Sequence, residues 1–174
     1  EPAVAAVAVG DPLDEATEMG PLVSREHLRK VAGFVPEDAP VAFRGSAPSG
    51  DGFWFPPTVL LPSRSDRAFR EEIFGPVVSV VPFDDEADAI GLANDSPYGL
   101  SGSIWTRDLS RAVRVSRAVE AGNLSVNSHS SVRFSTPFGG FKHSGVGREL
   151  GPDAPLAFTE TKNVFFAIED APSS

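Results

Sequence analysis

From Val77 to Val126 the apolar pattern changes its period four times, and that alternation restricts the chain to one broad class of fold. Val77-Val78-Ser79-Val80-Val81 is a β-branched run, short enough for a strand and bounded by Pro76 and Pro82. Helical spacing follows at Ala87, Ile90 and Ala93, with Asp84 and Asp85 ahead of it as caps and Asn94-Asp95-Ser96-Pro97 to end it. Leu100 to Thr106 returns to strand. Asp108 then opens an amphipathic helix with Leu109, Ala112, Val113, Ser116 and Val119 inward, Arg107, Arg111, Arg114 and Arg117 outward, and Gly122 as its stop. Leu124-Ser125-Val126 is a further strand. Strand, helix, strand, helix, strand predicts an α/β protein with a mostly parallel sheet and covering helices.

Immediately before this region lies Glu71-Glu72-Ile73-Phe74-Gly75-Pro76-Val77. Read locally, it is a short acidic turn of helix that stops at Gly75-Pro76, because Pro76 cannot donate to a continuing helix and Gly75 can take the left-handed cap. Two uses of the corner are open. Glu72 and Phe74 are either an exposed acid and a core ring, or a carboxylate and a flat face set beside one ligand. A carboxylate can accept two hydrogen bonds from a vicinal diol such as a ribose, and a Phe face supports a planar heteroaromatic ring.

Elsewhere the elements are shorter. Glu1 to Val9 reads as the tail of a longer helix, broken by Gly10-Asp11-Pro12. Ser24 is an N-cap for a helix with Leu28, Val31 and Ala32 on its buried side. Val41 to Arg44 is a strand, and Phe53-Trp54-Phe55 leads through Pro56-Pro57 into another that ends at Leu61. Asn163 to Ile168, with Val164-Phe165-Phe166 at its centre, is a terminal strand that needs a sheet edge to join.

Composition narrows the function. With 174 residues the chain is the size of one domain, and nothing in it requires two. A net charge of -9 disfavours nucleic acid and anionic membrane surfaces as partners. Every apolar run is interrupted well short of the roughly 20 residues a bilayer span needs, and the Ala/Val-rich start has no basic lead, so a soluble cytoplasmic protein is expected. Cysteine is absent, which removes disulfides, thiolate metal sites and a cysteine nucleophile.

The polar stretch from Asn127 to Arg148 invites several chemistries and fits few. Ser128-His129-Ser130-Ser131 lacks the Gly-x-Ser-x-Gly elbow of a hydrolase. His129 and His143 match no metal-ligand spacing, so no metal is expected. Gly145-Val146-Gly147-Arg148-Glu149-Leu150-Gly151 has one residue too many for a dinucleotide fingerprint and follows a loop, and Phe141 stands where a phosphate loop needs glycine before Lys142. These glycines serve close packing and turning of the backbone.

Several ordered motifs agree on another account. Glu71-Glu72-Ile73-Phe74-Gly75-Pro76-Val77, Gly10-Asp11-Pro12-Leu13-Asp14, Met19-Gly20-Pro21-Leu22-Val23-Ser24, Asn94-x-Ser96-x-Tyr98-Gly99-Leu100-Ser101 and Trp105-Thr106-x-Asp108 resemble the NAD(P)-dependent aldehyde dehydrogenases. So does Pro137-Phe138-Gly139-Gly140-Phe141-Lys142-x-Ser144-Gly145-x-Gly147-Arg148-Glu149-Leu150-Gly151, and Phe158-Thr159-Glu160-Thr161-Lys162 resembles the closing motif of that family, with Phe158 where Tyr is frequent. The resemblance runs from about Gly10 to Ile168 and corresponds to the C-terminal part of such an enzyme. It implies an incomplete aldehyde dehydrogenase catalytic-domain-like fold over residues 1–157, with residues 158–174 as an oligomerisation strand and polar tail.

It also implies roles. Glu72 would hold the nicotinamide-side ribose of NAD or NADP and Phe74 would pack by the nicotinamide. Phe138 would line the aldehyde tunnel, with Ser130 and Val132 in the loop that shapes substrate choice. Arg133 is either a solvated loop cation or an anchor for an acidic aldehyde. The family's nucleophilic cysteine, general-base glutamate and Rossmann domain lie upstream of the matching region. A serine hydroxyl cannot take over from the thiolate, since its much higher pKa leaves little nucleophile. The expectation is therefore a chain that is inactive alone, that takes its place in a homo-oligomer or beside an aldehyde dehydrogenase N-terminal part, and that meets a small-molecule aldehyde only in the complete enzyme. The competing expectation is a non-catalytic module that uses residues 164–168 for self-association or docking.

Overall fold

A computed structural model describes residues 2–129 and 132–167. The chain divides into two compact units, Glu1–Phe83 and Asp84–Ser174.

The first unit is organised around α2, Arg25–Ala32, which follows the four-residue α1, Pro2–Ala5. Ser24 caps α2 as expected, its hydroxyl accepting from the His27 amide at 3.1 Å. Val31 on this helix is fully buried and forms the core with Phe34 and Ile73, against which Leu22, Val35, Phe55, Ala68 and Val77 pack. Leu28 is only half-buried and Ala32 exposed, so the inward stripe is narrower than the spacing predicts. Beside this core stands a three-stranded sheet ordered β1 (Val41–Arg44), β2 (Thr58–Leu60), β3 (Val77–Ser79), with β1 antiparallel and β3 parallel to β2. The aromatic lead-in from Phe53 does not join β2, which is confined to three residues after Pro56-Pro57 because neither proline has an N–H for a ladder.

Between β2 and β3 comes α3, Arg67–Arg70, which ends sooner than expected. Glu71 is already extended at its C-cap, with φ -113° and ψ 150°. Gly75 is not the left-handed residue of this corner; Phe74 is, at φ +56°. A Cβ on Gly75 would lie 2.6 Å from Val31 Cγ2, so glycine is there for room against α2.

The second unit begins with α4, Glu86–Asn94, capped by Asp85, whose side chain accepts from the Asp88 amide. β4 (Tyr98–Gly99), β5 (Ser101–Ile104), α5 (Leu109–Ala118), β6 (Asn123–Val126) and β7 (Phe141–Lys142) follow. β5 and β6 pair in parallel across α5, the later half of the expected alternation. β3 pairs with β2 instead of extending that ladder, and β4 pairs antiparallel with β7. The α/β class stands, with parallel pairs at β2–β3 and β5–β6, but the strands described form three small sheets and not one continuous one.

Asp108 caps α5 through the Arg111 amide, as expected. The helix ends at Ala118 with Val119 extended, four residues before Gly122. Gly122 serves packing instead. A Cβ there would fall 1.8 Å from the Gly139 carbonyl oxygen, so the loop that follows can lie against this position only if it is glycine. Of the expected inward face of α5, Ala112 is buried, while Leu109 is 78% exposed and Val113 43%. Glu86 on α4 ties the two helices by accepting from Arg114 at 2.8 and 2.9 Å and from Arg111 at 3.1 Å. Residues 163–167 join no ladder among the described residues, and Phe165 and Phe166 are 84% and 79% exposed, so the terminal strand expected there finds no sheet edge among the described residues of this chain. Among the described residues no helix is long and apolar enough to cross a membrane.

Candidate functional site

The Glu71–Val77 corner is shaped by what it buries. Ile73 points into the core at 7% exposure, and its neighbours Glu72 and Phe74 are both exposed, Phe74 by 71%. Alternation about one buried anchor therefore brings the carboxylate and the ring to the solvent side of a single turn. No hydrogen bond or ion pair engages Glu72 among the described residues, which leaves its oxygens available as acceptors. Glu71 differs, held by Arg67 through two bonds of 2.8 and 2.9 Å that keep its carboxyl below the usual range, the hydrogen bond to Arg67 being the chief cause.

A bulky residue at positive φ is uncommon, and the left-handed region costs an L-residue about 1–2 kcal/mol. Something must hold Phe74 there. His27 Nε2 lies 2.6 Å from the Phe74 carbonyl oxygen, which can only accept, so this nitrogen carries the proton and donates. A neutral hydrogen bond contributes about 1 kcal/mol, comparable to the strain it opposes. The two rings lie 6.2 Å apart between centroids at a 40° tilt. Sequence reasoning misses this contact, because the two residues are 47 positions apart.

In the second unit Phe138 is fixed by an antiparallel bridge to Glu149, its amide and carbonyl each bonded at 2.7 Å. It lines an open depression of about 560 Å³ with Leu100, Arg148, Leu150 and Phe158. Arg148 ties the surrounding loop by donating to the Gly140 and Gly147 carbonyls at 2.9 Å and stacking over Phe141. Lys142, itself left-handed at φ +53°, bonds the Asn94 and Ser96 carbonyls and pairs with Glu120 at 2.7 Å. The polar stretch is thus a packed scaffold in which Gly139 and Gly151 allow close approach, a Cβ on Gly139 meeting the Gly147 carbonyl oxygen at 2.2 Å, and Gly145 turns the chain at φ +107°, while a Cβ on Gly147 would meet nothing within 4 Å.

Val132 is 53% exposed, and Ser130 lies outside the described residues. Arg133 donates to the Val132 carbonyl at 2.9 Å and borders a separate depression of about 480 Å³ that Ser125 and Ser128 also line. Among the described residues no group of three or more His, Cys, Asp or Glu is placed to hold a metal.

The profile of the aldehyde dehydrogenase family matches residues 1–164. The chain belongs to the aldehyde dehydrogenase family. Among its aldehyde dehydrogenase relatives, the betaine aldehyde dehydrogenase of Rhizobium leguminosarum bv. trifolii is 45% identical over 171 residues, 94% of this chain and 35% of that protein. An aldehyde dehydrogenase of Aspergillus niger is 41% identical over 94% of this chain and 34% of its own length. Among solved structures, the Mycobacterium tuberculosis aldehyde dehydrogenase complexed with NAD+ superposes with a TM-score of 0.86 at 38% identity, covering 97% of this chain and 36% of that one. The betaine aldehyde dehydrogenase of Staphylococcus aureus in complex with NAD+ gives 0.81 at 38% identity, over 90% and 33%. The chain spans about a third of the length of the aldehyde dehydrogenases it matches.

Proposed function

We propose that this chain is the C-terminal part of an NAD(P)-dependent aldehyde dehydrogenase, an enzyme that oxidises an aldehyde to a carboxylic acid. The observation that carries the reading is the Glu72–Phe74 turn, where an unengaged carboxylate and an exposed ring flank the buried Ile73, and the ring's backbone is held left-handed. That pairing of an acceptor with a flat apolar face fits a nicotinamide nucleotide. Glu72 would accept from the ribose diol and Phe74 would offer its face to the nicotinamide. When bound, the dinucleotide supplies the hydride acceptor. NAD+ in the neighbouring structures favours NAD over NADP as the cofactor.

On the substrate side, Phe138 supplies an apolar wall and Val132 and Ser130 the adjoining loop, as the family motif implies. The aldehyde carbon needs a thiolate, and this chain has no cysteine. In this reading the nucleophile, the general base and the domain that binds the adenosine end come from residues outside this sequence. Leu13, Leu109, Phe134 and Phe158 are 78–92% exposed, apolar side chains that the rest of such an enzyme would cover in this reading. A cytoplasmic setting belongs to the same proposal.

The test joins this segment to the nucleophile-bearing part of a relative. Glu72→Gln removes an anionic acceptor, and a hydrogen bond to a charged group is worth about 1.5–3 kcal/mol, so the KM for NAD is expected to rise about tenfold or more. Phe138→Ala is expected to raise the KM for the aldehyde and leave that for NAD in place. An unmoved KM for NAD in Glu72→Gln contradicts the assignment.

A second reading draws on the exposed Val164-Phe165-Phe166 segment, at 57–84% exposure. Its backbone would dock on the sheet edge of a neighbour, making the chain a self-association module. Light scattering on the purified chain separates the two: a specific oligomer that ignores any N-terminal partner favours the module, and a monomer that binds such a partner favours the enzyme segment.

A further inference from the structure

We propose that His27 is the positioning residue for Phe74, a role that rests on the reading of Phe74 as the nicotinamide's neighbour. Helix α2 grips the corner at two points one turn apart. Val31 meets Gly75 so closely that a Cβ there would lie 2.6 Å from Val31 Cγ2, and it shares the core with Ile73. Four residues earlier, His27 Nε2 reaches the Phe74 carbonyl at 2.6 Å. The His27 backbone is itself fixed, since its amide donates to the Ser24 cap. Apart from its tilted contact with the Phe74 ring, the imidazole has no second hydrogen bond to explain its pose, because Nδ1 is buried with no partner among the described residues. A histidine packed this way spends its one satisfied ring nitrogen on the carbonyl of the strained residue.

Ile73 and Gly75 are secured by packing on either side of Phe74. His27 adds a directional bond to the carbonyl between them, which restrains the Phe74 backbone torsions and, with them, the direction in which the side chain leaves the chain before any ligand arrives. The acceptor-only carbonyl also requires a proton on Nε2.

Nuclear magnetic resonance on the isotopically labelled 174-residue chain tests this without reliance on activity. In the unsubstituted chain the long-range proton–nitrogen spectrum of His27 is expected to show the Nε2–H form, and the Phe74 amide coupling and carbon shifts the left-handed backbone. His27→Leu is expected to shift Phe74 toward an extended conformation while Val31, Phe34 and Ile73 keep their resonances. His27→Gln, whose amide nitrogen can stand near the Nε2 position and donate, is expected to restore the left-handed signature. A left-handed Phe74 in a folded His27→Leu chain overturns the proposal, as does a neutral His27 whose one ring proton is on Nδ1. Should the leucine variant not fold, loss of the signature in a folded His27→Gln chain overturns it equally. Addition of NAD addresses the other reading: a His27-dependent Phe74 whose resonances NAD leaves unmoved in the joined, cysteine-bearing enzyme refutes the cofactor role of Phe74 and keeps the positioning role.

Discussion

Phe74 and Gly75 divide between them two roles that local reasoning gives to one residue. The Gly-Pro pair announces a break, and glycine is the usual occupant of a left-handed position, so the sequence points to Gly75. In the fold, contact with Val31 claims Gly75, and the positive φ passes to Phe74. Adding one methyl at Gly75 tests this division. Gly75→Ala is expected to cost about 1–3 kcal/mol, the usual penalty for overpacking, seen as a lower denaturant midpoint, because its Cβ would intrude on a fully buried Val31 side chain. An unchanged midpoint would mean that Gly75 is not there for space. Glu72 and Phe74 were legible as a pair because their motif is contiguous. His27 was not, since nothing in a linear string marks a partner 47 residues away.

Helix starts were the most legible elements, and the reason is their locality. Ser24, Asp85 and Asp108 each cap the helix that follows through an amide three residues on. Helix ends and strand partners depend on distant atoms, which is why Gly122 proved a packing glycine and β3 a partner of β2. The link between α4 and α5 likewise emerges only in three dimensions. Hydrogen bonds from Arg114, and then Arg111, hold the Glu86 carboxyl below its usual range. A depressed carboxylate contributes stability that is fully present above the ordinary glutamate value and is lost as pH falls through the depressed one. The stability gap between the unsubstituted chain and Glu86→Gln is therefore expected to narrow from neutral pH toward about pH 3, read as thermal midpoints. These side chains are solvent-exposed to 28–55%, so the gap is expected to shrink with added salt as well. A gap that widens with acid would contradict the tie.

At the scale of the whole chain, the motifs carried family membership and the composition carried the missing chemistry. The absence of cysteine is what the proposed reading takes to mean that the attacking thiolate lies outside this sequence. The sheet arrangement was less legible, because alternation of strands and helices fixes the class while leaving which edges meet to packing across the fold. The most direct measurement is to add NAD and a range of aldehydes to the purified chain and follow reduced-cofactor absorbance. No steady increase is expected, because in the proposed reading Glu72 and Phe74 serve the cofactor and the thiolate that attacks the aldehyde is not among this chain's residues. Sustained turnover by this polypeptide alone would contradict the account.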